Sequence, residues 1–112
     1  MEIPVAGPTP SDLEQHVLLA AWRLGNEAYG GSVRDELEAK TGRDLAQGAI
    51  YVTLIRLEKK GLLRSRLSDP TPVRGGKAKR IFEITATGVA GVQAARQALD
   101  RLWDGLPQAV EG

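Results

Sequence analysis

The side chains that could do chemistry in this chain are spaced for recognition. In DLAQGAIYVTLIRLEKKGLL (residues 44–63), Ile50, Leu54 and Leu57 recur at i, i+4 and i+7, and Gly61 follows. This predicts an amphipathic helix that stops at a glycine and passes into a strand at Leu62 and Leu63. A helical wheel puts Val52, Ile55, Arg56 and Lys59 opposite the stripe, apolar first and basic later. Such a face suits a helix whose first half enters a DNA major groove, with apolar side chains on thymine methyls and cations on phosphates. A surface helix with two stray apolar residues would carry the same pattern.

Catalytic groups are not clustered. His16, the single histidine, lies beside Val17 with no second histidine or any cysteine to pair with, and it reads as a surface or interface residue. The carboxylates sit on exposed helical faces at ordinary charge-pair spacings. Gly30-Gly31 and Gly75-Gly76 read as turns and match no nucleotide-binding fingerprint. No enzymatic activity, metal or cofactor is expected. The absence of cysteine excludes disulfides and thiolate metal sites and suits a reducing cytoplasm.

The formal net charge of +1 hides a separation. Residues 56–80 hold nine basic side chains (Arg56, Lys59, Lys60, Arg64, Arg66, Arg74, Lys77, Lys79, Arg80) against Glu58 and Asp69, a local +7. The remainder holds six basic and twelve acidic residues, hence −6. Concentrated on and just after the groove-suited helix, this is an electrostatic footprint for a polyanion. A chance basic hairpin would match the composition but not the placement.

The elements that must position these groups follow from local signals. With 112 residues, 42% of them hydrophobic, the chain has enough apolar content for one modest core. Residues 1–10, MEIPVAGPTP, lack periodicity and the features of a signal peptide, and they read as a loose arm. No apolar stretch approaches a membrane span, so a soluble, cytoplasmic protein is expected. SDLE at 11–14 is a capping box opening a first helix to about Leu24, striped by Leu13, Val17, Ala20 and Leu24 and broadened by Leu18 and Trp22. Residues 29–32 read as a turn into a short second helix with Val33 and Leu37 inward and Gly42 as its stop. Asp44 and Gln47 offer a capping pair for the third helix, about 46–60. LLRSRLS (62–68) and KRIFEIT (79–85) alternate as strands around a Gly/Pro-rich basic wing at 68–79. Leu63, Ser65 and Leu67 share one face, as do Ile81 and Glu83, with Phe82 and Ile84 divided between core and edge.

Thr85 opens a last helix, expected over 85–106, with a tail at 107–112. Val89, Val92, Arg96, Leu99, Trp103 and Leu106 are spaced 3, 4, 3, 4, 3, a heptad register interrupted once by Arg96. The register predicts a helix packed along another, either the first helix of the same chain or a second subunit. The second option makes Val89, Val92, Leu99, Trp103 and Leu106 a homodimer interface. Where this seam meets the first helix near Val17 and Trp22, an apolar cleft with Trp22, Arg96, Leu99 and Trp103 could hold a planar aromatic or weakly acidic effector. The alternative is packed core, with Arg96 turned to solvent.

Helix, helix, helix, strand, basic wing, strand, long helix is the order of a winged helix-turn-helix over 11–84 followed by a dimerisation helix, a mainly α fold with a small β-hairpin. YVTLIRLEKKGL at 51–62 resembles the signature of the phenolic acid decarboxylase regulator (PadR) family. A second signature follows at the right distance, Gly75-Gly76 and then RIFEITATG at 80–88. The resemblance covers about residues 13–104. It implies a homodimeric transcriptional regulator, usually a repressor, of the short subfamily with one C-terminal helix. The DNA-facing residues are then expected to be Gln47, Ala49, Tyr51, Val52 and Arg56 on the third helix and Arg74, Lys77 and Lys79 on the wing. Three positions depart from the family pattern: Val52 where proline often follows the tyrosine, Tyr29-Gly30-Gly31 in place of His-Gly-Tyr, and Ala46 or Gln47 in place of Pro or Ser. The rival reading is a winged-helix module for protein contacts without DNA binding, which leaves the local +7 unexplained.

Overall fold

A computed structural model describes residues 10–68 and 78–110. Arg74 and Lys77, like the arm at 1–9, lie outside the described residues. Among the described residues four α-helices and one hairpin follow the expected order: α1 (Asp12–Leu24), α2 (Gly30–Thr41), α3 (Gln47–Lys59), β1 (Leu63–Leu67), β2 (Arg80–Ile84) and α4 (Ala86–Trp103), with a 3-10 turn at Gly25–Glu27.

The capping box of α1 forms as read: the Glu14 amide donates to Ser11 Oγ at 3.2 Å, and the Ser11 amide donates to Glu14 Oε1 at 2.9 Å. Helix α2 starts earlier than expected. The stretch read as a turn is its first turn, because the Tyr29 amide donates to the hydroxyl of Ser32 at 2.9 Å. The two glycines there permit close approach, since a Cβ on Gly30 would lie 3.2 Å from Gln47 Nε2. Helix α3 starts at Gln47, but the Asp44–Gln47 capping pair does not form. Ala46 is the N-cap and offers no side-chain acceptor. Asp44 instead lies 3.3 Å from Arg34, whose Nε donates to the Leu45 carbonyl at 2.8 Å. The arginine fork engages the α2–α3 connection and takes the carboxylate away from the helix end. At the other end of α3 the Leu62 amide bonds the Leu57 carbonyl (3.0 Å) and the Gly61 amide bonds the Glu58 carbonyl (3.0 Å). With Gly61 at φ 78°, this is a Schellman stop that aims the chain into β1.

The strands pair antiparallel with Ser65 opposite Phe82, and the far edge of β2 is tied to the 28–29 connection by the Phe82 amide on the Ala28 carbonyl at 2.8 Å. Phe82 is fully buried, so it is a core residue and not an edge one; Ile81, on the opposite face, is buried as well. Leu63 is buried but Leu67, on the same face and nearer the wing, is 63% exposed, so burial along β1 falls off toward the outer end of the hairpin.

The core gathers Val17 and Leu18 of α1, Val33 and Leu37 of α2, Ile50, Leu54 and Leu57 of α3, and Leu62, Leu63, Phe82 and Val92. Each fully buried aliphatic or phenyl side chain stabilises the fold by roughly 1.5–3 kcal/mol. Helix α4 joins this core only through its first half. Thr85 caps it, accepting from the Gly88 amide at 3.0 Å and donating to the Gly61 carbonyl at 2.7 Å. From Arg96 to Val110 every residue is exposed. The helix ends at Trp103, and Gly105 at φ 74° turns the chain, so Leu106 lies beyond the helix and does not continue the heptad register. Among the described residues no helix is long and apolar enough to cross a membrane.

Candidate nucleic-acid interface

Helix α3 is amphipathic because Ile50, Thr53, Leu54 and Leu57 turn into the core, with the Thr53 hydroxyl satisfied by the Ala49 carbonyl at 2.8 Å. Its other side presents Gln47, Ala49, Tyr51, Val52, Arg56 and Lys59 to solvent. Ile55, placed on that side by the helical wheel, is half-buried against the core instead. The Tyr51 ring meets Phe82 edge-on, centroids 6.2 Å apart at 84°, and so is braced against β2 with 43% of the residue exposed. Val52 is 56% exposed, an apolar side chain kept in water by its place on the helix. The arrangement offers apolar and hydroxyl groups at the start of a helix and cations at its end. These are the groups that read base edges and meet phosphates.

The cations of 56–80 do not act as one block. Lys60 Nζ sits 2.8 Å from the buried Glu14 carboxylate and is engaged in that pair. Arg64 and Arg66 share the two oxygens of Glu83 at 3.3 and 3.6 Å. Arg80 donates to the Ser65 hydroxyl at 2.9 Å. Lys79, expected on DNA, stands 4.0 Å above the centroid of the Tyr29 ring, a cation–π contact that ties the wing base to the start of α2. Arg56 and Lys59 have no ion pair among the described residues. Burial pushes the Glu14 carboxyl up, but hydrogen bonds from Lys60 and Ser11 and the Lys60 charge outweigh it and hold the group below the usual carboxylate range.

His16 is absorbed by structure: its Nδ1 lies 3.0 Å from Arg43 Nη1, and its Nε2 is 3.8 Å from Asp12. Among the described residues no group of three or more His, Cys, Asp or Glu could hold a metal ion.

The α4 residues separate into two sets. Val92 is 5% exposed within the single chain, so it is a core residue, and Val89 is half-buried. Leu99, Trp103 and Leu106 are exposed at 54%, 65% and 57%, and so are Leu102 on α4 and Leu19 and Trp22 on α1. Leu19 and Leu102 had no part in the heptad reading. The signal for Leu102 was present, since 99, 102, 103 and 106 follow the wider i, i+3, i+4, i+7 stripe. Within one chain, Trp22, Arg96, Leu99 and Trp103 do not assemble into a cleft. Trp22 lines a shallow depression of about 290 Å³ with Ala21, Gly25, Asn26, Glu83 and Ile84, beside the residues that precede α4. Trp103 is the last residue of α4, and 18 residues of helix span about 26 Å. Arg96 is exposed and 3.7 Å from Asp100, one turn on.

Comparison with known proteins bears on this geometry. Residues 18–94 match the model of the transcriptional regulator PadR-like family. Transcriptional regulator Rv3488 of Mycobacterium tuberculosis is 36% identical over 77 residues, which cover 69% of this chain and 67% of that protein. A Streptococcus transcriptional regulator superposes with a TM-score of 0.65 at 30% identity, covering 81% of this chain and 84% of the other. A PadR family transcriptional regulator from Eggerthella lenta gives 0.63 at 27% identity, covering 84% and 81%. The family match runs from the second half of α1 through the first half of α4 and includes the exposed face of α3. This chain belongs to the PadR-like family of transcriptional regulators.

Proposed function

We propose that the protein works as a homodimeric, sequence-specific repressor in the cytoplasm, with α3 in the major groove of an operator and the wing on the adjoining backbone or minor groove. The carrying observation is the solvent-facing side of α3, where Ala49, Tyr51 and Val52 precede Arg56 and Lys59 on a helix whose other face is core. Gln47, Tyr51 and Val52 read bases; Arg56, Arg74, Lys77 and Lys79 meet phosphates. Titrating mixed-sequence duplex DNA at 50 and 200 mM salt tests the reading. Affinity should fall by at least tenfold over that range, and salt-independent binding overturns it.

The dimer uses the outer half of α4. Leu99, Leu102 and Trp103 are each more than half exposed in their own chain, and an apolar stripe of that kind is stable in water when a second copy buries it. Val89 and Leu106 flank the stripe.

An effector enters this scheme only through the dimer. A partner's α4 laid along α1 brings its Trp103 toward Trp22, and a planar aromatic ligand between the rings favours one spacing of the two α3 helices over another. Quenching of tryptophan fluorescence by planar aromatic acids, with a parallel loss of DNA affinity, is expected. Quenching without that loss returns the tryptophans to a packing role.

A protein-contact module is the rival reading, favoured by the internal pairing of Lys60, Arg64 and Arg66. The same duplex titration decides between the two.

A further inference from the structure

Lys60 belongs to the basic run by position, yet its ammonium group is turned inward. It is the C-cap of α3, and its Nζ lies 2.8 Å from Oε2 of Glu14, whose side chain is 4% exposed. The other oxygen of Glu14 accepts from the Ser11 amide at 2.9 Å, so one buried carboxylate holds both the first turn of α1 and the last turn of α3. Pro10, one residue before that cap, packs beside Gly91 of α4: a Cβ there would lie 3.6 Å from the proline ring. Three helices therefore meet at this corner, and among the described residues the Lys60–Glu14 contact is its ion pair.

We propose that Lys60 is a positioning residue for DNA recognition: its ion pair with Glu14 sets the angle of α3 against α1 and α4, and it contacts no phosphate. The proposal rests on the DNA-binding reading above. The carboxylate is buried while the lysine side chain keeps 32% of its surface in water, so removing the lysine strands the buried charge, whereas the intact pair holds one geometry. The pair sits at the C-terminal end of α3, while Gln47 and Ala49 sit at its N-terminal end, about 18 Å away along the helix. A rotation of about 3° at the pair displaces those residues by about 1 Å over that length. Contacts to base edges fail over such a distance, because hydrogen bonds hold only within narrow limits of length and angle. Phosphate contacts through long, flexible cationic side chains tolerate it. Loss of Lys60 thus removes sequence discrimination and spares the electrostatic part of binding.

The experiment uses the full chain and two duplexes, one selected by the wild-type protein from a random-sequence pool and one of mixed sequence. Wild-type binding is measured first. If neither duplex is bound, the DNA-binding reading itself fails, before any variant is made. Lys60→Met should lower the ratio of selected to mixed affinity by about tenfold, the size expected of a residue that acts through a packed neighbour. It should leave the slope of log affinity against log salt on the mixed duplex unchanged, whereas Arg56→Ala should reduce that slope by about one per subunit. Lys60→Arg, which can keep the pair, should restore the ratio. A slope reduced by about one in Lys60→Met, or an unchanged ratio, overturns the proposal. If Lys60→Met does not fold by circular dichroism, Glu14→Gln decides instead: it keeps the acceptor for Ser11, and the ratio should fall as for Lys60→Met. An unchanged ratio in Glu14→Gln overturns the proposal equally.

Discussion

Gly88 of α4 lies directly under the carbonyl of Leu62, so closely that a Cβ on Gly88 would overlap that oxygen and also press on Ile84 at 2.7 Å. This is where the helix that leaves the domain is seated on the domain. Leu62 holds the position from its own side, because its carbonyl accepts from the Thr85 amide at 3.1 Å while its amide closes the end of α3.

Gly88→Ala is therefore expected to destabilise the protein. Alanine gains about 1 kcal/mol of helix propensity over glycine. Forcing a methyl into backbone costs more, about 1–3 kcal/mol beyond that gain. Gly48→Ala in α3 is the control, since a Cβ there meets nothing within 4 Å, and a gain of about 0.5–1 kcal/mol is expected. Thermal unfolding of the two variants should shift in opposite directions.

Arg56→Ala and Tyr51→Ala should weaken DNA binding in different ways. The arginine variant is expected to bind all duplexes less tightly and to lose about one unit of salt slope per subunit. The tyrosine variant removes a ring braced on Phe82 and should change the ranking of operator sequences with little change in slope. Competition binding against a panel of duplexes at two salt concentrations distinguishes them.

Truncating the outer half of α4 should separate subunits without unfolding the core. Both side chains are exposed in the single chain; in the proposed dimer a second copy covers them, so Leu99→Ala and Trp103→Ala are each expected to cost about 2–5 kcal/mol of association. The loss should appear as concentration-dependent melting and a lighter species in sedimentation. A wild-type chain that sediments as a folded monomer at micromolar concentration removes the dimer from the account.

The Glu14 carboxyl sets an acid limit on stability. Its folded value lies below the ordinary 4.5, so the unfolded chain binds more protons as the pH falls. The contribution is fully present above about pH 4.5 and is lost as the pH drops through the folded value. Glu14→Gln should flatten this acid limb in melting temperatures measured from pH 6 to 3 while lowering stability at neutral pH. An acid limb identical to that of the wild type would place the titrating group elsewhere.

By itself the sequence determined what depends on near neighbours. Ser11 and Glu14 are three residues apart, and Leu57, Gly61 and Leu62 end α3 through bonds within one turn, so the element order and most helix ends could be read from spacing alone. The PadR-like motifs were legible for the same reason, as runs of adjacent residues. Tertiary structure decided what depends on partners distant in the chain. Lys60 and Glu14 are 46 positions apart and Arg64 and Glu83 are 19 apart, so no local pattern distinguished these paired cations from the solvent-facing Arg56 and Lys59. Asp44 lost its capping role to Arg34, ten positions upstream. The heptad spacing put Val92 and Trp103 on one seam, but the core reaches only as far as Ala95, so the first is buried and the second is exposed. Periodicity reports which side of a helix is apolar; where along its length the neighbouring elements end is set by their packing.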